Sequence, residues 1–276
     1  MIQRGSGQES LTAIRSPVLS GPGACGSFLL LEDGMPLRPV GFCNFNELFE
    51  LNTGQAQAME VIRGPGTALY GANAVHAIIN VISPTIASLD PASLSVEGGA
   101  YGFGRVQASV ASGDAARGSG AWGSFTHDGG FRADSPVDDA KLNLLHQREW
   151  RGGDLRLRFA GTVLNQETAG FVRGLDAYRD PGLARSNPNP EAFRDAWSTR
   201  ASASWSRNDD CERCTTDLRM ALRSSQMQFL QHFLLGKPLE RNGQDSVGFS
   251  ALLARPWGAA GSGTWRAGLD LEASES

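Results

Sequence analysis

From about residue 85 onward the chain repeats one pattern, in which apolar or small residues alternate with polar ones at a period of two. Leu155, Leu157, Phe159, Gly161 and Val163 alternate with Asp154, Arg156, Arg158, Ala160 and Thr162. Similar runs include Val106, Ala108 and Val110; Ala201, Ala203 and Trp205; Leu218, Met220 and Leu222; Val247, Phe249, Ala251 and Leu253; and Trp265, Ala267, Leu269 and Leu271. Successive side chains of a β-strand point to opposite faces, so each run makes a strand with one greasy face and one wet face. The 34 glycines suit a chain of many short strands joined by turns.

Nine strands are predicted, near residues 92–101, 104–113, 118–128, 139–149, 154–165, 197–207, 215–225, 245–255 and 263–273. Alternation alone fits a soluble sandwich as well as a membrane barrel. The links discriminate better. Those joining strands two to three, four to five, six to seven and eight to nine are short, whereas those after strands three, five and seven are longer. Only the tight first hairpin, Tyr101-Gly102-Phe103, departs from this order. Short and long ends in alternation are what an outer-membrane barrel shows, with tight periplasmic turns and longer outside loops. No apolar run of about 18 residues encodes a transmembrane helix. A barrel crosses with strands of about 10 residues, and a mean hydropathy of −0.24 is compatible with that.

Nine strands cannot close a bacterial barrel, which needs an even number. The first residues, MIQRGSGQESLTAIRS, lack the parts of a signal peptide. The last, GLDLEASES, stop in or just after a strand. The expectation is therefore a piece of a longer protein. Before residue 85 the texture is that of a small α+β module. SFLLLED (Ser27–Asp33) and VHAIINVI (Val75–Ile82) read as buried strands, the first turned by Gly34-Met35-Pro36, and Glu47–Leu51 as one helical turn.

The stretch IRGPGTALYGANAVHAIINVIS, residues 62–83, resembles the end of the plug domain of TonB-dependent outer-membrane receptors. Its elements are Ile62-Arg63-Gly64-Pro65, then Gly66, Tyr70-Gly71, Ala72-Asn73-Ala74 and the strand Ile79-Asn80-Val81-Ile82. LLLEDGMPL, with Asp33-Gly34, resembles the preceding plug strand and turn, and Ala13-Ile14-Arg15-Ser16 an earlier one with Ser16 where the family usually has Gly. His76-Ala77 stands where the family usually has two glycines. The resemblance covers roughly residues 10–84. It implies a mainly β chain: a partial α+β plug over 1–85, then over 86–276 the N-terminal portion of an incomplete antiparallel transmembrane β-barrel. A barrel wide enough for an internal plug has about 22 strands. The family pairs plug arginines with barrel glutamates, which makes Arg15 and Arg63 the plug-side candidates, with their partners expected in later strands than those predicted here. Physically, Arg63 would need a carboxylate or several carbonyls inside a lumen. The glycines around Pro65 would let the turn press against a wall.

The resemblance also implies a function: energised uptake of a scarce ligand such as a siderophore-type iron chelate, a cobalamin or a carbohydrate. The partners implied are the TonB complex, a small extracellular ligand and outer-membrane lipid. A TonB box is absent from the sequence. The alternatives are a receptor that signals ligand occupancy and a soluble all-β binding or adhesin module. Exposed ligand contacts are expected in the link Gln166–Ala196, from Arg173, Tyr178 and Arg179, with Phe229–Gln244 as a second such loop. A net charge of −4 without a basic stretch gives no sign of a nucleic-acid partner. Gly64–Gly71 has phosphate-loop spacing but lacks the Lys and Ser/Thr that would follow. The four His are scattered, so no catalytic site, metal site or cofactor is expected. The four cysteines fall as Cys25 with Cys43 and Cys211 with Cys214; a disulfide in each pair is the expectation, with free thiols the alternative.

Overall fold

The computed structural model describes residues 28–39, 47–66, 70, 73–208, 214–258 and 263–276, together with the paired strands β1 (Ile2–Gln3) and β2 (Ser10–Leu11). Two further sheets organise the molecule.

The smaller sheet has the order β4-β3-β6-β5, formed by β3 (Phe28–Glu32), β4 (Met35–Pro36), β5 (Ala58–Arg63) and β6 (Ala77–Ile82). β3 and β6 run parallel at its centre. Their near-continuous apolar runs, FLLL and AIINVI, suit central strands buried on both faces. On one face Leu30, Ile79 and Val81 pack with Leu37 and Leu51. On the other Leu29, Leu31 and Ile78 pack with Ala74. The turn expected at Gly34-Met35-Pro36 lies one residue earlier. Glu32 pairs with Met35, and Asp33 and Gly34 both take positive φ, 52° and 79°. Both central residues of such a two-residue turn need that conformation, which Asp-Gly accepts readily. β5, a segment for which no strand is predicted, is an exposed edge strand.

The larger sheet is a nine-stranded antiparallel meander in which each strand pairs with its neighbours in sequence. Its members are β7 (Ala92–Gly98), β8 (Gly104–Gly113), β9 (Arg117–Asp128), β10 (Val137–Trp150), β11 (Gly153–Glu167), β12 (Phe193–Asn208), β13 (Thr215–Leu230), β14 (Leu239–Trp257) and β15 (Gly263–Glu275). All nine predicted strands are present. Several of them run further than predicted toward the long links. The link expected over Gln166–Ala196 shrinks to residues 168–192 and carries a short helix, α1 (Pro181–Arg185). The loop expected over Phe229–Gln244 is half strand, leaving residues 231–238 as the connection.

The two faces of this sheet are inverted relative to a soluble sandwich. Across the register, Val110, Ala121, Leu144, Phe159, Ala201, Leu222 and Val247 form one row on the outer face. Val110 is 54% exposed, Leu144 42% and Leu222 49%. The inner face buries polar residues instead, among them Asn143, Thr162, Gln166, Ser198, Arg200 and Arg223. A continuous apolar surface outside and a wet face inside match a barrel wall in lipid. Trp150, Trp205, Trp257 and Trp265 share the outer-face alternation and lie near the short turns, where a girdle of aromatic residues sits at the membrane interface. No helix among the described residues is long and apolar enough to cross a membrane.

Candidate functional site

Among the described residues, two short segments make most of the contacts between the smaller sheet and the wall, and Gln55 Nε2 adds a hydrogen bond to the Ala108 carbonyl at 3.1 Å. The first is the 3-10 turn Glu47–Glu50 and its continuation. Phe49, Glu50 and Leu51 are consecutive and almost fully buried, but they bury into different surroundings. Leu51 enters the core of the smaller sheet. Phe49 enters a wall cluster of Val137, Leu164 and Ala196, with Met227 packed against it. Glu50 lies between them and accepts from three side chains. Arg38 Nη2 reaches its Oε1 at 2.7 Å, Ser198 Oγ its Oε2 at 2.6 Å, and Arg200 Nη1 the same Oε2 at 3.4 Å.

Arg200 on β12 is the centre of the contact. Its Nε donates to Glu32 Oε2 at 3.0 Å and its Nη2 to the Glu50 carbonyl at 2.9 Å. Thr162 Oγ1 donates to the same carbonyl at 3.1 Å, and Lys141 Nζ to the Leu51 carbonyl at 2.9 Å. A guanidinium serves this place because its rigid fork can reach two carboxylates and a carbonyl together. Buried charges are costly unless paired and hydrogen-bonded.

The second segment is the β3–β4 hairpin. Asp33 accepts from the Ser83 backbone N–H at 3.0 Å and forms an ion pair with Arg158 of β11. Arg219 and Arg223 of β13 donate to the carbonyls of Asp33 (3.4 Å) and Pro36 (2.6 Å). Asn80 braces the turn from behind. Its Oδ1 accepts from Gly34 N–H at 2.9 Å, and its Nδ2 donates to Glu60 of β5 at 3.0 Å.

These contacts are distinct from the arginine pairing the resemblance implies, whose wall partners are expected in later strands. The carboxylates, Glu32, Asp33 and Glu50, belong to the smaller sheet, and the cations Arg158 and Arg200 to the wall. Arg63 ends the exposed edge strand β5 and has no carboxylate partner among the described residues. Arg15 and Gly71 lie outside them. Gly64 has φ 107° and Pro65 is exposed. Gly66 donates to the Ala74 carbonyl at 2.7 Å, and a Cβ there would stand 2.6 Å from that of Ala74. The turn therefore presses on its own sheet at this point. Tyr70 is exposed, and Asn73 has φ 67°.

Wall arginines on the wet face were visible in the sequence, but their partners were not. Arg200 is 150 residues from Glu50, and only the register fixes their common height.

At the long-link end, Arg173, Tyr178 and Arg179 are exposed. Arg179 Nε donates to Tyr178 Oη at 3.1 Å; Arg173 is not drawn into that pair. The base of the loop is fixed by Arg132, which donates to the Ser186 carbonyl at 2.9 Å, and by Asn187, which donates to the Asp134 carbonyl at 2.9 Å. Lys237 pairs with Glu191 and ties the 231–238 connection to this loop. The hydrogen bond from Lys237 holds the Glu191 carboxyl below its ordinary range. A depressed carboxyl pKa means the tie is present above the unfolded value and is lost as pH falls through the folded one. Amide exchange of residues 231–238 is accordingly expected to quicken, after correction for intrinsic rates, as pH drops below the usual glutamate range. Lys237→Met should abolish that dependence. Cys214 is disulfide-bonded; Cys25, Cys43 and Cys211 lie outside the described residues.

No protein-family model matches the chain. Solved structures do. The ferric citrate transporter FecA in its unliganded form aligns with 91% of this chain and 40% of its own, at 13% identity and TM-score 0.69. The siderophore receptor PiuA from Acinetobacter baumannii aligns with 89% and 37%, at 14% and 0.65. The copper transporter OprC aligns with 90% and 38%, at 10% and 0.61. At these identities the likeness establishes fold: the chain has the architecture of a TonB-dependent receptor's plug and the first strands of its barrel. It spans about 40% of the length of the FecA chain.

Proposed function

We propose that the chain is the plug and N-terminal barrel wall of an outer-membrane receptor that imports a scarce ligand with energy from the TonB system. In this reading residues 1–85 are the plug portion and 86–276 the wall, and the protein is a transporter rather than an enzyme. The observation that carries it is the seat of the plug sheet. Among the described residues it is held on the inner face of the wall through ion pairs, hydrogen bonds and the packing of Phe49. A contact rich in ion pairs and hydrogen bonds fixes a plug yet can be exchanged for water when the plug moves. Siderophore receptors and a copper transporter among the similar folds support a metal chelate as the ligand class. Arg173, Tyr178 and Arg179 are the proposed outer contacts, suited to an anionic or aromatic chelate.

The test is uptake by cells expressing the full-length protein, with a panel of radiolabelled ferric chelates, cobalamin and oligosaccharides. At least one ligand is expected to accumulate, and accumulation should stop when the proton gradient is collapsed or the energy-transducing partner is deleted. Energy-independent accumulation would overturn the energised reading. A protein that remains in the aqueous phase without detergent, and whose gel migration is the same heated or unheated, would overturn the membrane reading.

A further inference from the structure

We propose that the outer face of β9 and β10 carries a binding site for an anionic phospholipid of the periplasmic leaflet, held by Arg117 and Arg148. The two arginines stand directly opposite one another across the β9–β10 pair, on the outer face and exposed. Like charges directly opposite in a sheet repel. Neither has an ion pair with a carboxylate among the described residues; the nearby Asp114 instead accepts from the backbone N–H groups of Ala116 and Arg117. Their row continues through Leu155 to Trp205, one of the interfacial tryptophans, so the pair sits at headgroup level.

Above the pair, toward the membrane centre, lies a shallow groove of about 570 Å³. Its outer-face residues include Val110, Ala121, Leu144, Leu157 and Phe159. Ala121 is small between Val110 and Leu144, which makes the depression. From Arg148 to Leu144 along the strand is about 13 Å, so a phosphate between the guanidinium groups would direct an acyl chain into the groove. His146, hydrogen-bonded to Ser119 at 2.9 Å, lies between the two levels and can meet the ester region. Charge complementarity selects the occupant. A phosphodiester bearing net negative charge relieves the repulsion of the arginine pair, whereas a zwitterionic headgroup brings its own cation to the site.

This site rests on the reading that the wall spans a membrane, and the experiment separates the two. The full-length protein is folded into liposomes containing equal phosphatidylglycerol and phosphatidylethanolamine, and protection from protease is checked first. The protein is then released into mild detergent, and retained lipid is counted by native mass spectrometry. Preferential retention of phosphatidylglycerol is expected. Arg117→Gln/Arg148→Gln should lower that preference roughly tenfold, while Arg151→Gln, at the same rim and stacked on Trp150, should leave it intact. A protected protein that shows no anionic preference, or a double variant that keeps it, overturns the site alone. Displacement by inorganic phosphate as effective as by lipid overturns it too, since the groove would then contribute nothing. A protein left unprotected overturns the membrane reading and the site together.

Discussion

Glu50→Ala is expected to loosen the plug from the wall by about 3–5 kcal/mol, the range seen when one member of a buried ion pair is removed. Glu50 is 2% exposed and is shared by Arg38, Ser198 and Arg200. Without it Arg200 keeps Glu32, a carbonyl and the Ser198 hydroxyl but stays buried with one of its two carboxylate partners gone. The measurement is hydrogen exchange in detergent, followed separately for amides of β3 and β6 and for those of β11 and β12. Plug amides should exchange faster by the full free-energy change, while wall amides, held by their ladder, should change little. Glu50→Gln keeps hydrogen-bonding atoms and removes the charge, so its effect should be smaller. Glu50→Leu combined with Arg200→Met should recover only part of the loss, because the apolar pair removes these two charges but takes from Glu32 its Arg200 partner. These residues share one network, so their single effects should not add. Plug protection left within about 0.5 kcal/mol by Glu50→Ala would show that this contact does not seat the plug.

The same network marks the boundary of what the sequence made legible. Period-two alternation located every wall strand because one face must be apolar along the whole membrane-crossing length. It lost the strand ends for the same reason. In Leu239–Gln244, LERNGQ, both faces are wet, so the alternation disappears although the ladder to β13 continues. β5 escaped because AMEVIR is an exposed edge with no buried face to impose a pattern. The buried parallel strands β3 and β6 were plain from their unbroken apolar runs. The plug motif pointed to Arg63 and to partners in later strands; the contact made by Glu32, Asp33 and Glu50 is a separate one that no motif marked. Sequence assigns a residue to a face; height on the wall comes from the summed register of several hairpins. That is why Glu50, in a turn read only as helical, carried no sign of its partner.

Phe49→Ala should cost a similar amount for a different reason. Phe49 is 1% exposed and packs on Val137, Leu164 and Ala196 within an inner face whose nearby members Thr162, Gln166 and Ser198 are polar. Its removal leaves a cavity that the surrounding strands, fixed by their ladders, cannot close, so a loss near ~3–5 kcal/mol is expected. Phe49→Leu, which keeps most of the volume, should lose less. Exchange of the β3 and β6 amides again reports the effect, since Leu51 two residues on anchors the same turn in the plug core. Phe49 and Glu50 are adjacent and rigidly linked, so one plug displacement breaks both contacts. Once Glu50→Ala has unseated the turn, Phe49→Ala should therefore add much less than it does alone. Full additivity would mean that the apolar peg and the ionic contact release independently. In the proposed transporter that would require the pull to act twice, whereas strong coupling lets one displacement of a four-residue turn free this side of the plug.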